Sequence, residues 1–226
     1  VLEGRATNRE IVVVGAHYDS APGSPGANDN ATGVATVLEL ARLLQDRPRQ
    51  RELRLVAFVN EEPPYFQTEN MGSLVYAREL VSQGAPVVAM LTPETLGYYS
   101  EARGSQHYPF PFGLLYPDTG NFVGFVGNLG SLSLVRRCVG SFRHHAAFPS
   151  EGAAVPASIE GVAWSDHWAF WEQGVPALMV TDTAPHRDPH YHTAGDRPDH
   201  VDTERLARVV QGLAGVVDDL LNDRRR

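Results

Sequence analysis

Four short apolar runs rich in β-branched residues constrain this chain more than any other feature: EIVVVGA (10–16), LRLVAFV (53–59), APVVAML (85–91) and VPALMVT (175–181). Continuous rather than alternating hydrophobicity suits a strand covered on both faces. The segments between the runs carry a helical period instead. TGVATVLELARLLQDR (32–47) places Val34, Val37, Leu38, Ala41 and Leu44 on one face, and GSLVYARELVSQG (72–84) ends at Gly84, a suitable C-cap. A last helix over about 202–222 takes Asp202 or Thr203 as N-cap and buries Leu206, Val209, Val210, Leu213, Val217 and Leu220. Such strand–helix alternation predicts an α/β fold: a three-layer sandwich with a mostly parallel central sheet and helices on both faces. At 226 residues the whole chain, 1–226, reads as a single domain.

Composition removes several function classes. No apolar run approaches the ~18 residues of a membrane-spanning helix, so no membrane insertion is expected. A formal net charge of −8 without a basic stripe makes nucleic acid a poor partner. The single cysteine, Cys138, leaves neither an internal disulfide framework nor a thiolate zinc site, so any metal must be held by His and carboxylate. Compartment and oligomeric state stay open. The segment from Tyr98 to Gly130 is rich in Gly, Pro and aromatics with little periodicity, and reads as a long loop, either a lid or a folded excursion.

The residues that follow the apolar runs are unusual. His17 and Asp19 come after the first, the adjacent Glu61 and Glu62 after the second, Glu94 after the third, and Asp182 with His186, His190 and His192 after the fourth. Read alone, each acidic residue is a solvated one. Four parallel strands, however, end on one edge of the sheet, where open α/β folds place ligands. That many carboxylates and histidines in one crevice need a cation, because an isolated buried carboxylate costs several kcal/mol. Histidines and carboxylates without thiolate suit Zn²⁺, with Co²⁺ or Mn²⁺ admissible, and the surplus of ligands over one tetrahedral site points to a pair of ions. Between the first run and the first helix, GSPGANDNATG carries Asp29, either a turn-capping residue or a carboxylate folded back beside His17 to bridge two metals.

Taken together, GAHYDS, GANDNATG, NEE, ETLGYY, SDHWAFW and YHTAGD, in this order and spacing, resemble metallopeptidase family 28, which includes zinc aminopeptidases, glutamate carboxypeptidase-type enzymes and glutaminyl cyclases. The resemblance runs from about Ile11 to the last helix. It implies His17 and Glu94 on one zinc, Glu62 and His192 on the other, and Asp29 bridging both. Asp19 would fix the imidazole of His17 from behind, since metal-bound histidines usually donate their second N–H to such a partner. Glu61 would be the general base toward a metal-bridging hydroxide, and Tyr191 a donor to the substrate carbonyl oxygen. Pro63 biases Glu62 away from helical angles, so that two neighbouring glutamates point in different directions.

The implied activity is that of a zinc exopeptidase acting on peptides, foremost an aminopeptidase, in a secreted or periplasmic setting. A one-zinc glutaminyl cyclase-like acyltransferase is the alternative, disfavoured because those enzymes tend to carry Trp where this chain has Tyr191. A non-catalytic peptidase-like binding domain is a third reading, disfavoured because every expected ligand is present. The chain departs from the family in three ways. Glu94 stands where Asp is commoner, which admits one-zinc occupancy; EEPPYFQTENMGS replaces a short glycine-containing link; and the first strand lacks the helices that usually precede it. Asp166 and His167 read as pocket residues, the alternative being a simple helix cap by Ser165 or Asp166, while Trp164, Trp168, Phe170 and Trp171 read as core. Among the clustered histidines, His192 is preferred over His186 and His190. No serine stands in a strained nucleophile elbow.

Overall fold

The structure, a computed structural model, describes residues 1–7 and 9–224. Six strands form one sheet: β1 (Ile11–His17), β2 (Glu52–Phe58), β3 (Val87–Glu94), β4 (Val123–Gly127), β5 (Ser150–Ala154) and β6 (Ala177–Thr181), in the order β2-β1-β3-β6-β4-β5. The first four of that order pair in parallel; β4 runs antiparallel to β6 and parallel to β5. Five helices cover it: α1 (Thr32–Leu44), α2 (Gly72–Ser82), α3 (Leu132–His145), α4 (His167–Trp171) and α5 (Thr203–Leu221).

The pleat of β1 sorts its side chains into two cores, one on each face of the sheet. Val12, Val14 and Ala16 join Leu40, Leu44, Phe125, Phe142, Leu213 and Val217 beneath α1, α3 and α5. Ile11 and Val13 join Phe58, Met71, Leu74, Met90 and Phe170 beneath α2 and α4. The three-layer expectation therefore holds. Each fully buried Leu, Val or Phe contributes about 1.5–3 kcal/mol relative to exposure. The rings of Phe125 and Phe142, 5.3 Å apart, add an aromatic contact between β4 and α3.

Three sequence expectations need correction. The buried face of α1 is Gly33, Thr36, Val37, Leu40 and Leu44, whereas Leu38 is 66% exposed. The small side chains of Gly33 and Thr36 let this helix lie close to the sheet, which a count of large apolar residues misses. Strand β2 is only partly covered because it is the sheet edge, with Ala57 exposed. The segment read as one long loop contains β4, and Phe122 and Phe125 within it are core residues. What remains before β4 is an excursion pinned by the Arg103–Thr119 bridge and by Gly120 donating its N–H to Ser105 Oγ at 2.9 Å.

Asp202 is the N-cap of α5, accepting the Arg205 N–H at 2.9 Å. Gly84 adopts φ 69° just past α2, a left-handed conformation that glycine enters without a Cβ penalty. No helix among the described residues is long and apolar enough to cross a membrane. From β1 the chain steps outward to β2 and then back across to β3, so the strand order reverses between β1 and β3. The carboxyl ends of those two strands flank a topological switch point.

Candidate metal centre

His17 closes β1 and is 1% exposed. Its Nδ1 lies 3.0 Å from the backbone carbonyl oxygen of Asp19; a carbonyl only accepts, so Nδ1 carries a proton and Nε2 is the ring nitrogen turned toward the carboxylates. The carboxylate of Asp19 does something else. It accepts the backbone N–H groups of Glu61 and Glu62 at 3.3 and 3.0 Å, so it fixes the acidic pair, and its nearest approach to the imidazole is 3.7 Å. The expected role of Asp19 is thus divided: its backbone orients His17 and its side chain holds the turn after β2. From that turn the two glutamates diverge. Glu61 Oε2 lies 3.8 Å from His17 Nε2, and Glu62 Oε1 lies 3.4 Å from His192 Nε2.

Asp29 sits in the turn Ala27–Ala31, where Asp29 and Asn30 leave helical angles before α1 begins. Neighbouring asparagines tie this turn to β3. Asn30 donates from Nδ2 to Pro93 O and Glu94 Oε2 at 3.0 and 3.2 Å, and its Oδ1 accepts the N–H groups of Gly33 and Thr95. Gly33 is required by that closeness, because a Cβ there would lie 2.3 Å from Asn30 Oδ1 and 2.5 Å from Pro93 O. Asn28 donates to Asp182 Oδ2 and Asp188 Oδ2, and accepts the Gly97 N–H.

The result is two clusters sharing one residue. His17, Asp29 and Glu94 offer atoms within 4.8 Å of one another, as do Asp29, Glu62 and His192. His17 Nε2 is 3.4 Å from Asp29 Oδ1 and 3.3 Å from Glu94 Oε2, while His192 Nε2 is 3.0 Å from Asp29 Oδ2. Ligands about 2.0–2.2 Å from one tetrahedral ion stand roughly 3.3–3.6 Å apart; the two His17 separations and the 3.4 Å Glu62–His192 separation match this and the His192–Asp29 one is slightly shorter, an arrangement that fits two zinc sites with Asp29 between them. The donor chemistry fits as well. Glu62 Oε1 is buried without a hydrogen-bond partner, an atom whose desolvation a cation would offset. Glu61 belongs to neither cluster but faces the first.

The charges strain against one another without metal. Burial would lower His17, but Glu94 and Glu61 beside it hold it well above its usual value. Burial pushes Glu94 up to about 7 and Glu61 well above the usual carboxylate range. The carboxylates of Asp29 and Glu62, toward which His192 Nε2 points, raise His192 to about 10, and burial of Asp29 is outweighed by His17 and His192, which hold that carboxyl low. Tyr191 lies with its ring stacked on His192, centroids 3.9 Å apart; burial and the surrounding carboxylates raise its phenol, so it keeps its proton and can donate.

Two supporting residues carry no role at the metal site in the sequence reading. Asp196 accepts the N–H groups of Asn28 and Asp29, and Ser165 donates to Glu94 Oε2 at 2.6 Å. Both lie inside quoted motifs, YHTAGD and SDHWAFW, which was the available signal. Asp182 is fully buried and accepts the Tyr98 N–H at 2.8 Å, away from the two clusters. Asp166 is fully buried and makes no side-chain cap for α4, and His167 turns away to Val162 O at 2.8 Å. His190 stacks on His200, and His186 lines a neighbouring pocket. Trp168, Phe170 and Trp171 pack in the core, but Trp164 is 40% exposed and forms a wall of that pocket. The pocket opens beside Glu94 and Tyr191 between β4, β5, β6 and the aromatic excursion.

Comparison with known proteins bears on the family and the fold. A model of peptidase family M28 matches residues 1–217. The chain is 40% identical over 212 residues to the uncharacterized protein YfbL of Escherichia coli (strain K12), covering 90% of this chain and 65% of that protein. It is similar to the solved structure of BSAP, a zinc aminopeptidase from Bacillus subtilis, at 25% identity and TM-score 0.71, covering 100% of this chain and 50% of the other. A Bacteroides thetaiotaomicron glutaminyl cyclase shares the fold, with TM-score 0.68 at 18% identity, over 93% of this chain and 73% of its own. The chain thus spans between half and about two thirds of the length of YfbL and BSAP.

Proposed function

This chain belongs to peptidase family M28, and from that premise we propose that it is a zinc-dependent aminopeptidase releasing N-terminal residues from peptides. One observation carries the reading: Asp29 presents one oxygen to each of two histidine-carboxylate clusters, with Glu61 free of both and facing the first. His17, Glu94 and Asp29 would hold one ion, and Glu62, His192 and Asp29 the other. Bound zinc would supply Lewis acidity toward the scissile carbonyl and a lowered pKa for the attacking water. Glu61, kept basic-shifted by burial, takes the proton of that water and returns it to the departing amine. Tyr191, protonated and stacked on His192, donates to the carbonyl oxygen as charge develops there. The substrate's first side chain enters the pocket that opens beside Glu94 and Tyr191, and its free amine neutralises carboxylates that an internal peptide would leave unpaired.

Elemental analysis of the purified chain, with hydrolysis of leucine p-nitroanilide measured with and without chelator and in Glu61→Gln, tests this. About two zinc per chain, chelator-sensitive hydrolysis, and a ~10²–10⁴-fold loss in the variant with metal retained support the proposal. One zinc without hydrolysis moves the assignment to cyclase-type chemistry. No metal removes the enzyme reading.

A further inference from the structure

We infer that the pocket beside the metal centre receives an N-terminal arginine or lysine, and that Glu151 recognises its cationic head. The inference deepens the aminopeptidase reading and rests on it. Its basis is strand register. Glu94 on β3 pairs with Thr181 on β6, Thr181 with Gly124 on β4, and Gly124 with Glu151 on β5. These four residues form one row across the sheet, and all four line the pocket. Three strand spacings separate the ends of the row, about 14 Å between Cα atoms. A metal-site carboxylate thus stands at one end of the pocket floor and a second carboxylate at the other.

Between them the floor is low, and its one hydroxyl, on Thr181, is taken up by Thr95 Oγ1 at 3.1 Å and the Thr183 N–H at 2.8 Å. Gly124 presents no side chain, although a Cβ there would meet its nearest neighbours only at 3.5 Å, an ordinary contact, so packing does not force glycine. The adjacent row, Met179, Val126 and Ala153, is apolar. The excursion supplies the roof with Tyr108, Phe112 and Tyr116. Both tyrosine hydroxyls are already committed, Tyr108 to Pro117 O at 2.8 Å and Tyr116 to Gly152 O at 3.0 Å, so their rings face the cavity chemistry.

Charge decides the occupant. Among the described residues lining the pocket, Glu94, Glu151 and Glu160 are carboxylates and none is Lys or Arg. Glu151 is only loosely neutralised: Arg143 approaches it at 3.9 Å, while that guanidinium makes its closer contacts to Ser150. A carboxylate retains capacity for a further, bidentate donor. A leucine side chain would stop short of it, and a large apolar one would desolvate it without pairing it. A three- or four-carbon stem with a cationic tip matches the floor, the aromatic roof and the far carboxylate together.

The test compares kcat/KM for arginine, lysine, leucine and alanine p-nitroanilides on the zinc-loaded protein, in the native sequence, Glu151→Gln and Gly124→Val. Arginine and lysine should exceed leucine. Glu151→Gln should cut the arginine-to-leucine ratio roughly ten- to hundredfold, and Gly124→Val should cut the arginine-to-alanine ratio by blocking the floor. A preference for leucine in the native protein, or a ratio unmoved by Glu151→Gln, overturns the inference. Calorimetry with argininamide separates it from the premise. Binding that weakens in Glu151→Gln supports the pocket assignment even if no amide is cleaved, an outcome that would sink the aminopeptidase reading alone; binding indifferent to Glu151 overturns the assignment.

Discussion

Asp196 holds Asp29 by its backbone: one carboxylate accepts the N–H of Asn28 at 2.7 Å through Oδ1 and that of Asp29 at 3.0 Å through Oδ2. The residue shared by both metal clusters is therefore positioned from the far end of the chain, by the loop that also carries His192. Asp196→Ala leaves two buried N–H groups without their acceptor and frees the turn. Partners of this kind typically contribute 10–100-fold to metal affinity. Zinc competition against a fluorescent chelator should show a loss of that order affecting both sites together, and a loss at one site only would mean that Asp29 is held by its own turn.

Ser165→Ala should act on one site. Ser165 donates to Glu94 Oε2 at 2.6 Å, and Asn30 Nδ2 approaches the same oxygen at 3.2 Å. A hydrogen bond to a charged group is worth about 1.5–3 kcal/mol. Removing it lets the long arm of Glu94 swing, so at limiting zinc the stoichiometry should fall toward one ion per chain while the His192 site fills normally. Equal weakening of both sites would contradict this placement.

How much of this was legible in the sequence follows from where the signal lies. His17, Asp29, Glu62, Glu94 and His192 could be grouped because each follows an apolar run or a Gly-rich turn, and parallel strands bring such ends together. Strands β4 and β5, VGFVG and SEGAA, were not legible. Their pocket face is Gly124, Val126, Glu151 and Ala153, so no continuous apolar run marks them. Asp196 could not be assigned because its partners are backbone N–H groups 167 and 168 residues away, and backbone leaves no trace in residue type. The second half of the role of Asp19 was hidden for the same reason: its backbone carbonyl orients His17, but its carboxylate serves the peptide groups of Glu61 and Glu62.

Tyr191→Phe separates binding from chemistry. The phenol ring is half-buried against His192 and keeps its proton, so its loss removes a donor without adding a charge. An oxyanion donor is worth ~2.7–4 kcal/mol, about 10²–10³ in kcat. The expected result is a fall of that size in kcat with KM little changed and zinc content intact. A change confined to KM would place the hydroxyl in ground-state binding instead.

The metal-free protein should lose stability as pH rises, and zinc should reverse the trend. Glu94 holds its proton up to about 7 against an ordinary 4.5, and His192 holds its proton up to about 10 against 6.5. In both windows the folded state binds more protons than the unfolded chain, so unfolding free energy falls with pH. The contribution of His192 is complete below 6.5 and gone above about 10. Asp29 has the opposite sign: its carboxyl is held low, and what it contributes is present above 3.8 and lost on further acidification. A thermal melt of chelated protein should therefore peak in mildly acidic buffer and decline toward about pH 9. Zinc requires the same ligands deprotonated, so the rise in Tm on adding it should grow across that range. A zinc shift independent of pH would mean that the ion binds outside the His17, Asp29, Glu62, Glu94 and His192 clusters.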